Sequence, residues 1–238
     1  MLGAEGAAQQ AAVEDNLARD TMEACTPGLR PVFTQPMRAR QRVTGDMRYI
    51  GLDPREYAYD LAPSADDPTR VEVEVRIHFA GELARAPGVT DELAAKLEQA
   101  SRLWTEGAPG GFARFRFVLA PQARAAHFVV WLAPGTPRTP FDVTWGRGWS
   151  AHLMAHEIGH MMGLDDEYEQ ARKTWGHAIG EDEIWDRDPR VKREWLRCDL
   201  RSLMCDSKGE ASRPLPYHYY LILRRRFCRV AAPTYMTP

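Results

Sequence analysis

No stretch of this 238-residue chain approaches the ~20 consecutive apolar residues that a membrane-spanning helix needs. A bilayer-embedded helical protein is therefore not expected. No charge of one sign dominates either: 31 basic residues stand against 33 acidic ones, for a formal net charge of -2. That balance removes the usual motive for binding nucleic acid or an anionic lipid surface. Cysteine is scarce. Cys25, Cys198, Cys205 and Cys228 contain no C-x-x-C pair, so a cysteine-type zinc cluster is not implied. Cys198 and Cys205 are spaced to close a small loop, and four buried thiols fit the count equally well. The opening string MLGAEGAAQQAAVEDNLARD has no basic segment followed by roughly 7–15 apolar residues. The expectation is a chain that leaves the cell by a route without a cleavable signal peptide, stays in the cytoplasm, or is a piece of something longer.

What is present is ordinary globular composition, 44% hydrophobic and 27% charged. Residues 1–20, rich in Ala, Gln and Glu, suit a polar helix or a frayed end. Cys25 to Pro68 carries scattered prolines and aromatics with little periodicity, and 1–68 together is read as an irregular N-terminal extension, a pro-segment or linker. Regular structure is expected over 69–238. RVEVEVRIHFAG, from Arg70 to Gly81, alternates apolar and polar residues and predicts a strand. In TDELAAKLEQASRLWTEG, Thr90 is a plausible N-cap, Leu93, Leu97, Ala100 and Trp104 form a stripe, and Gly107 is a stop. GFARFRFVLAP and AHFVVWLAPG read as two further strands, and TPRTPFDVTWGRGW as a loop. The order implies an α+β fold with a mixed sheet, an upper part over 69–163 and a lower part over 164–238. PLPYHYYLILRRRFC predicts a C-terminal helix, while residues 169–197 read as short helices and loops.

Chemistry concentrates in HLMAHEIGHMMGLDDEY, His152 to Tyr168. Ser150 can cap a helix running from Ala151 to about Met162, and Gly163 can end it. His156 and His160 are then one turn apart with Cβ atoms ~5–6 Å from each other, close enough to share one ion at a Zn–N distance of ~2.0–2.1 Å. Glu157, rotated by ~100° along the helix, can reach a water at that ion. This is the spacing that base-assisted metal hydrolysis requires. A third protein ligand is needed. A turn at Gly163 would bring round Asp166, with Asp165 and Glu167 as neighbours pointing away. His177 is a rival third ligand, and Glu181 or Glu183 would serve from a later helix. His152, one turn before His156, is either structural or a support for the ligands.

With these residues in hand, HEIGHMMGLDD resembles the extended zinc signature of the metzincin metallopeptidases, H-E-x-x-H-x-x-G-x-x-H/D. His156, Glu157, His160, Gly163 and Asp166 fall on its positions. The aspartate variant followed by a tyrosine is most similar to the snapalysin type, and GLDDEY is similar to bacterial toxin and effector peptidase domains. SLMCD resembles the metzincin Met-turn, which would put Met204 beneath the metal as a hydrophobic floor. The resemblance implies a twisted mixed sheet, a long zinc helix, and a smaller C-terminal subdomain with the Met-turn and a last helix. Two departures stand out. Asp166 and Met204 are separated by 37 residues, a long span for a snapalysin-like domain, and no tyrosine follows the Met-turn, where Cys205 and Asp206 stand. Tyr217, His218 or Tyr219 would have to supply any transition-state donor.

The expected activity is a zinc-dependent endopeptidase with one catalytic ion, acting on a protein or peptide laid beside an edge strand, HFVVWL. An inhibitor or immunity protein is an expected partner for a secreted effector. Cys25 in EACTPGLRP could hold such a site latent through its thiolate. Two other readings share the residues: a zinc-containing binding or scaffold protein, and an amidase acting on cell-wall peptide.

Overall fold

The fold is described from a computed structural model, and the structure covers residues 37, 39–47, 55–67, 70–137, 140–168, 199–209 and 211–223. Its organising strand is β3, Val71–Ala80. Val71, Val73, Val75, Ile77 and Phe79 all point inward, while Glu72, Glu74, Arg76 and His78 face the other side. That is the alternation the sequence predicts for a strand with one wet face. The chain then crosses over through α1, Val89–Glu106, whose buried stripe is Val89, Leu93, Leu97, Ala100 and Trp104. It returns as β4, Ala113–Leu119, in parallel register with β3 from Val71↔Ala113 to Ile77↔Leu119. The helix begins at Val89, after a left-handed Gly88, rather than being capped by Thr90. Starting earlier lets Val89 join the core.

Next comes β5, Phe128–Ala133, parallel to the far half of β3. A three-residue strand β6, Thr144–Gly146, lies parallel to Trp131–Ala133. β6 falls within the predicted loop and is too short to show a period. Its presence corrects one expectation: β5 is flanked by β3 and β6, so HFVVWL is not the edge of the sheet.

The larger correction concerns the segment before Arg70. Residues expected to be irregular contain β1, Gln41–Met47, and β2, Arg55–Pro63, an antiparallel pair. β2 also joins β3 in antiparallel register, from Asp60↔Glu74 to Pro63↔Val71. The result is a six-stranded mixed sheet. Ala58 to Ala62 are buried in succession, so both faces of this strand are covered and no period-two signal exists to be read. Tyr59 donates to the Ile222 carbonyl at 2.6 Å on one side. Asp60 enters a charged network with Arg40 and Arg76 on the other.

The histidine helix α2, Ala151–Met161, packs on α1 across the inner face. The Trp104 indole nitrogen donates to the Ala155 carbonyl at 3.0 Å. Trp104 also meets Phe115 and Tyr219, with ring centroids 5.3 and 5.8 Å apart. Tyr219 belongs to α3, Pro216–Ile222, which covers the first part of the predicted C-terminal helix. One buried tryptophan thus ties α1, β4, α2 and α3 into a single core. No helix among the described residues is long and apolar enough to cross a membrane. Among the described residues no cysteine is free: Cys205 is disulfide-bonded, and the other three cysteines lie outside them.

Candidate metal centre

Ser150 caps α2 by accepting from the Leu153 amide at 3.1 Å. Gly163, at φ +90°, ends the turn that follows, a conformation strained for any residue with a Cβ. The Tyr57 ring of β2 packs where that Cβ would stand, about 3.1 Å away. Glycine is therefore needed twice, for the turn and for the close approach. The Leu164 amide donates back to Gly159 at 3.1 Å, and the chain reverses so that Asp166 faces the two histidines.

The imidazoles are oriented from behind. His156 Nδ1 donates to the Leu203 carbonyl at 2.9 Å, and His160 Nδ1 donates to the Leu164 carbonyl at 2.7 Å. A carbonyl only accepts, so each Nδ1 carries a proton and each Nε2 points forward. The rings stand nearly perpendicular, at 83° with centroids 4.8 Å apart. His156 Nε2 and His160 Nε2 lie 3.2 and 3.3 Å from the same oxygen, Asp166 Oδ1. One ligand atom from each of the three residues lies within 4.8 Å of the others.

Two imidazole nitrogens and one carboxylate oxygen are a donor set that zinc accepts, and three protein ligands leave a coordination position open. His160 and Asp166 are buried, and their mutual attraction dominates their protonation. Burial on its own would lower the His160 pKa, but the adjacent Asp166 carboxylate outweighs it and the value is raised to about 9. Burial would likewise raise Asp166, and the two imidazoles instead hold it well below the usual carboxylate range. Glu157 differs. Burial pushes its carboxyl up, with His156 and His160 opposing and Asp166 adding to the rise. Its Oε2 is buried without a hydrogen-bond partner. A buried acceptor with nothing to accept is costly.

Met204 is fully buried in the turn Ser202–Asp206, where the Cys205 and Asp206 amides both donate to the Ser202 carbonyl. Its side chain packs on Gly159, between the two histidines in sequence. Met204 and its turn therefore contact helix α2 directly, while Leu203 orients His156. His152 bonds Ser212 at 2.7 Å through Nε2 and is not one of the three convergent residues. His218 and Tyr219 do not supply a donor to this centre: His218 is bound to Glu167, and Tyr219 donates to the Trp104 carbonyl. Cys25, His177, Glu181 and Glu183 lie outside the described residues, as does the side chain of Tyr217.

Two roles were not foreseen. Glu167 points away from the three convergent residues, as expected, but it is buried and bonded to Ser202 and His218. Gly159 makes room for the methionine, and the signal was a glycine inside a helix, which costs about 1 kcal/mol relative to alanine unless packing needs it. No protein-family model matches this chain, and no curated protein sequence does.

Proposed function

We propose that this chain is a zinc-dependent metallopeptidase of metzincin type. The observation that carries the reading is the convergence of His156 Nε2, His160 Nε2 and Asp166 Oδ1 on one point, beside the partly buried Glu157, whose Oε2 is buried and unpartnered. His156, His160 and Asp166 would hold the ion. A zinc ion there supplies Lewis acidity, lowering the pKa of water at the site and polarising a substrate carbonyl. Glu157 takes the proton from the attacking water and delivers it to the leaving amine nitrogen. The unpartnered Oε2 also favours turnover over a purely structural metal, which has no use for a buried acceptor beside it.

The Met204 turn packed on the zinc-signature helix supports the metzincin likeness, as does the strand-helix-strand-strand order upstream. β5 is flanked on both sides, which leaves β6 and the loop before it as the sheet edge beside β5 for an extended peptide. The test is zinc content and peptide-library cleavage for the wild type and Glu157→Ala. One zinc per chain in both, with cleavage only by the wild type, supports the reading. Zinc in both and cleavage of neither protein nor cell-wall peptide by the wild type would refute it in favour of a binding role.

A further inference from the structure

Asp166 stands next to a residue that is fastened more firmly than a loop position needs. The Glu167 carboxylate is buried and reaches two segments far away in sequence. Ser202 Oγ donates to its Oε2 at 2.6 Å, across 35 positions. His218 Nε2 lies 3.1 Å from its Oε1, across 51 positions. The Leu215 amide donates to His218 Nδ1 at 2.8 Å, so the remaining ring proton sits on Nε2 and points at Glu167. The Ser202 oxygen in turn accepts from the Met204 amide at 3.2 Å, and the Glu167 amide donates to the Met204 carbonyl at 2.9 Å.

These contacts close a loop around the ligand set. The Leu164 end of the segment is held by Gly159 and His160. The Glu167 end is held by Ser202, Met204 and His218. Asp166 lies between, one peptide unit from the second anchor, so movement of Glu167 is transmitted to Asp166 Oδ1. The same carboxylate fixes Ser202, at the start of the turn whose Leu203 carbonyl orients His156. A single side chain therefore governs two of the three ligands without touching the metal position.

We infer that Glu167 is a positioning residue for the metal centre, joining the Asp166 segment, the Met204 turn and α3 through Ser202 and His218. The inference rests on the zinc reading above, and metal affinity tests it separately from cleavage. Groups that orient metal ligands typically change affinity by about 10–100-fold when removed. In the full-length chain, Glu167→Ala is expected to bind zinc about 10–100-fold more weakly than the wild type in a chelator competition. Its cobalt-substituted visible spectrum should also shift. Glu167→Gln can accept from His218 through its amide oxygen and donate to Ser202 through its nitrogen, and should recover most of the affinity. Should Glu167→Ala fail to fold, Ser202→Ala removes only one contact and is expected to weaken zinc binding to a smaller degree.

A merely structural staple would lower the unfolding temperature and leave zinc affinity unchanged. Unchanged affinity in Glu167→Ala, or in Ser202→Ala if that is the variant that folds, overturns the inference. So does a Glu167→Gln variant as weak as the alanine one. A wild type that binds no zinc overturns the metal reading and this inference together. A wild type that binds zinc but cleaves nothing overturns only the peptidase reading, since the affinity comparison still decides this one.

Discussion

The sulfur of Met204 is packed so closely on Gly159 that a Cβ built on the glycine would stand 2.6 Å from it. Trp104 closes the same space from another side, at 3.5 Å. Gly159→Ala therefore forces a buried side chain to move. Overpacking of this kind costs about 1–3 kcal/mol, partly offset by the ~1 kcal/mol that alanine gains over glycine in a helix. We expect a net loss on the order of 1 kcal/mol in denaturant unfolding. A variant as stable as the wild type would mean that Met204 moves aside freely and is no rigid floor.

Zinc binding should be linked to protons through His160. With its pKa raised to about 9 by Asp166, His160 holds a proton near neutral pH that must leave before the nitrogen can ligate. Lower pH strengthens the proton as competitor, so affinity rises with pH, by roughly tenfold per unit for one displaced proton. Calorimetry at pH 7 in two buffers of different ionisation enthalpy counts the protons released. An affinity flat between pH 6 and 8 would contradict the ligand role of His160.

His127 should make the fold sensitive to acid. Its side chain is fully buried, and the Arg76 amide donates to its Nδ1 at 3.0 Å. Burial lowers its pKa to about 4, with Arg42 and Arg76 adding to the effect and Asp60 opposing it. An unfolded histidine takes up its proton near pH 6.5, well before the folded one does. The stability present above that pH is thus lost as pH falls from about 6.5 to about 4. The loss should be on the order of 2 kcal/mol, below the full-shift value because Arg42 and Arg76 reach solvent. Unfolding free energies measured across this range should fall less steeply in His127→Gln. Parallel curves for the two proteins would rule His127 out as the source.

The outer edge of β4 is covered by a helix. The Phe115 amide donates to Thr105 Oγ1 at 3.0 Å, and the Phe117 amide to Ser101 Oγ at 2.8 Å. Ser101 and Thr105 stand one turn apart on α1, so their hydroxyls match the spacing of alternate strand amides. Removing both exposes a length of strand edge to other chains. Ser101→Ala with Thr105→Ala should cost about 1–2 kcal/mol and increase self-association in light scattering at high concentration. A monodisperse double variant of unchanged stability would show that water replaces the hydroxyls without loss.

The central strand and the crossover helix were legible because each buries one face and leaves the other wetter, and the histidine helix because its histidine spacing and the flanking Ser150 and Gly163 mark it. β3 alternates at period two, and α1 carries its stripe at helical spacing. β2 was hidden for the opposite reason: Ala58 to Ala62 are covered on both sides, and consecutive burial has no period. The Thr90 cap was misjudged because a left-handed glycine, Gly88, starts the helix two residues earlier.

At the candidate metal centre the local part was written in the chain. His156, Glu157 and His160 share a helix, and a glycine followed by a carboxylate turns back toward it. All of that is short-range stereochemistry, fixed by 3.6 residues per turn and by the freedom of Gly163. Glu167, Ser202 and His218 carry no such spacing. Their meeting depends on how the Asp166 segment, the Met204 turn and α3 pack together around Trp104, and contacts across 35 and 51 positions leave no periodic trace. The sequence alone put His156, Glu157 and His160 on one helical turn; the tertiary structure decided that Asp166 meets the two histidines and what holds all three in place.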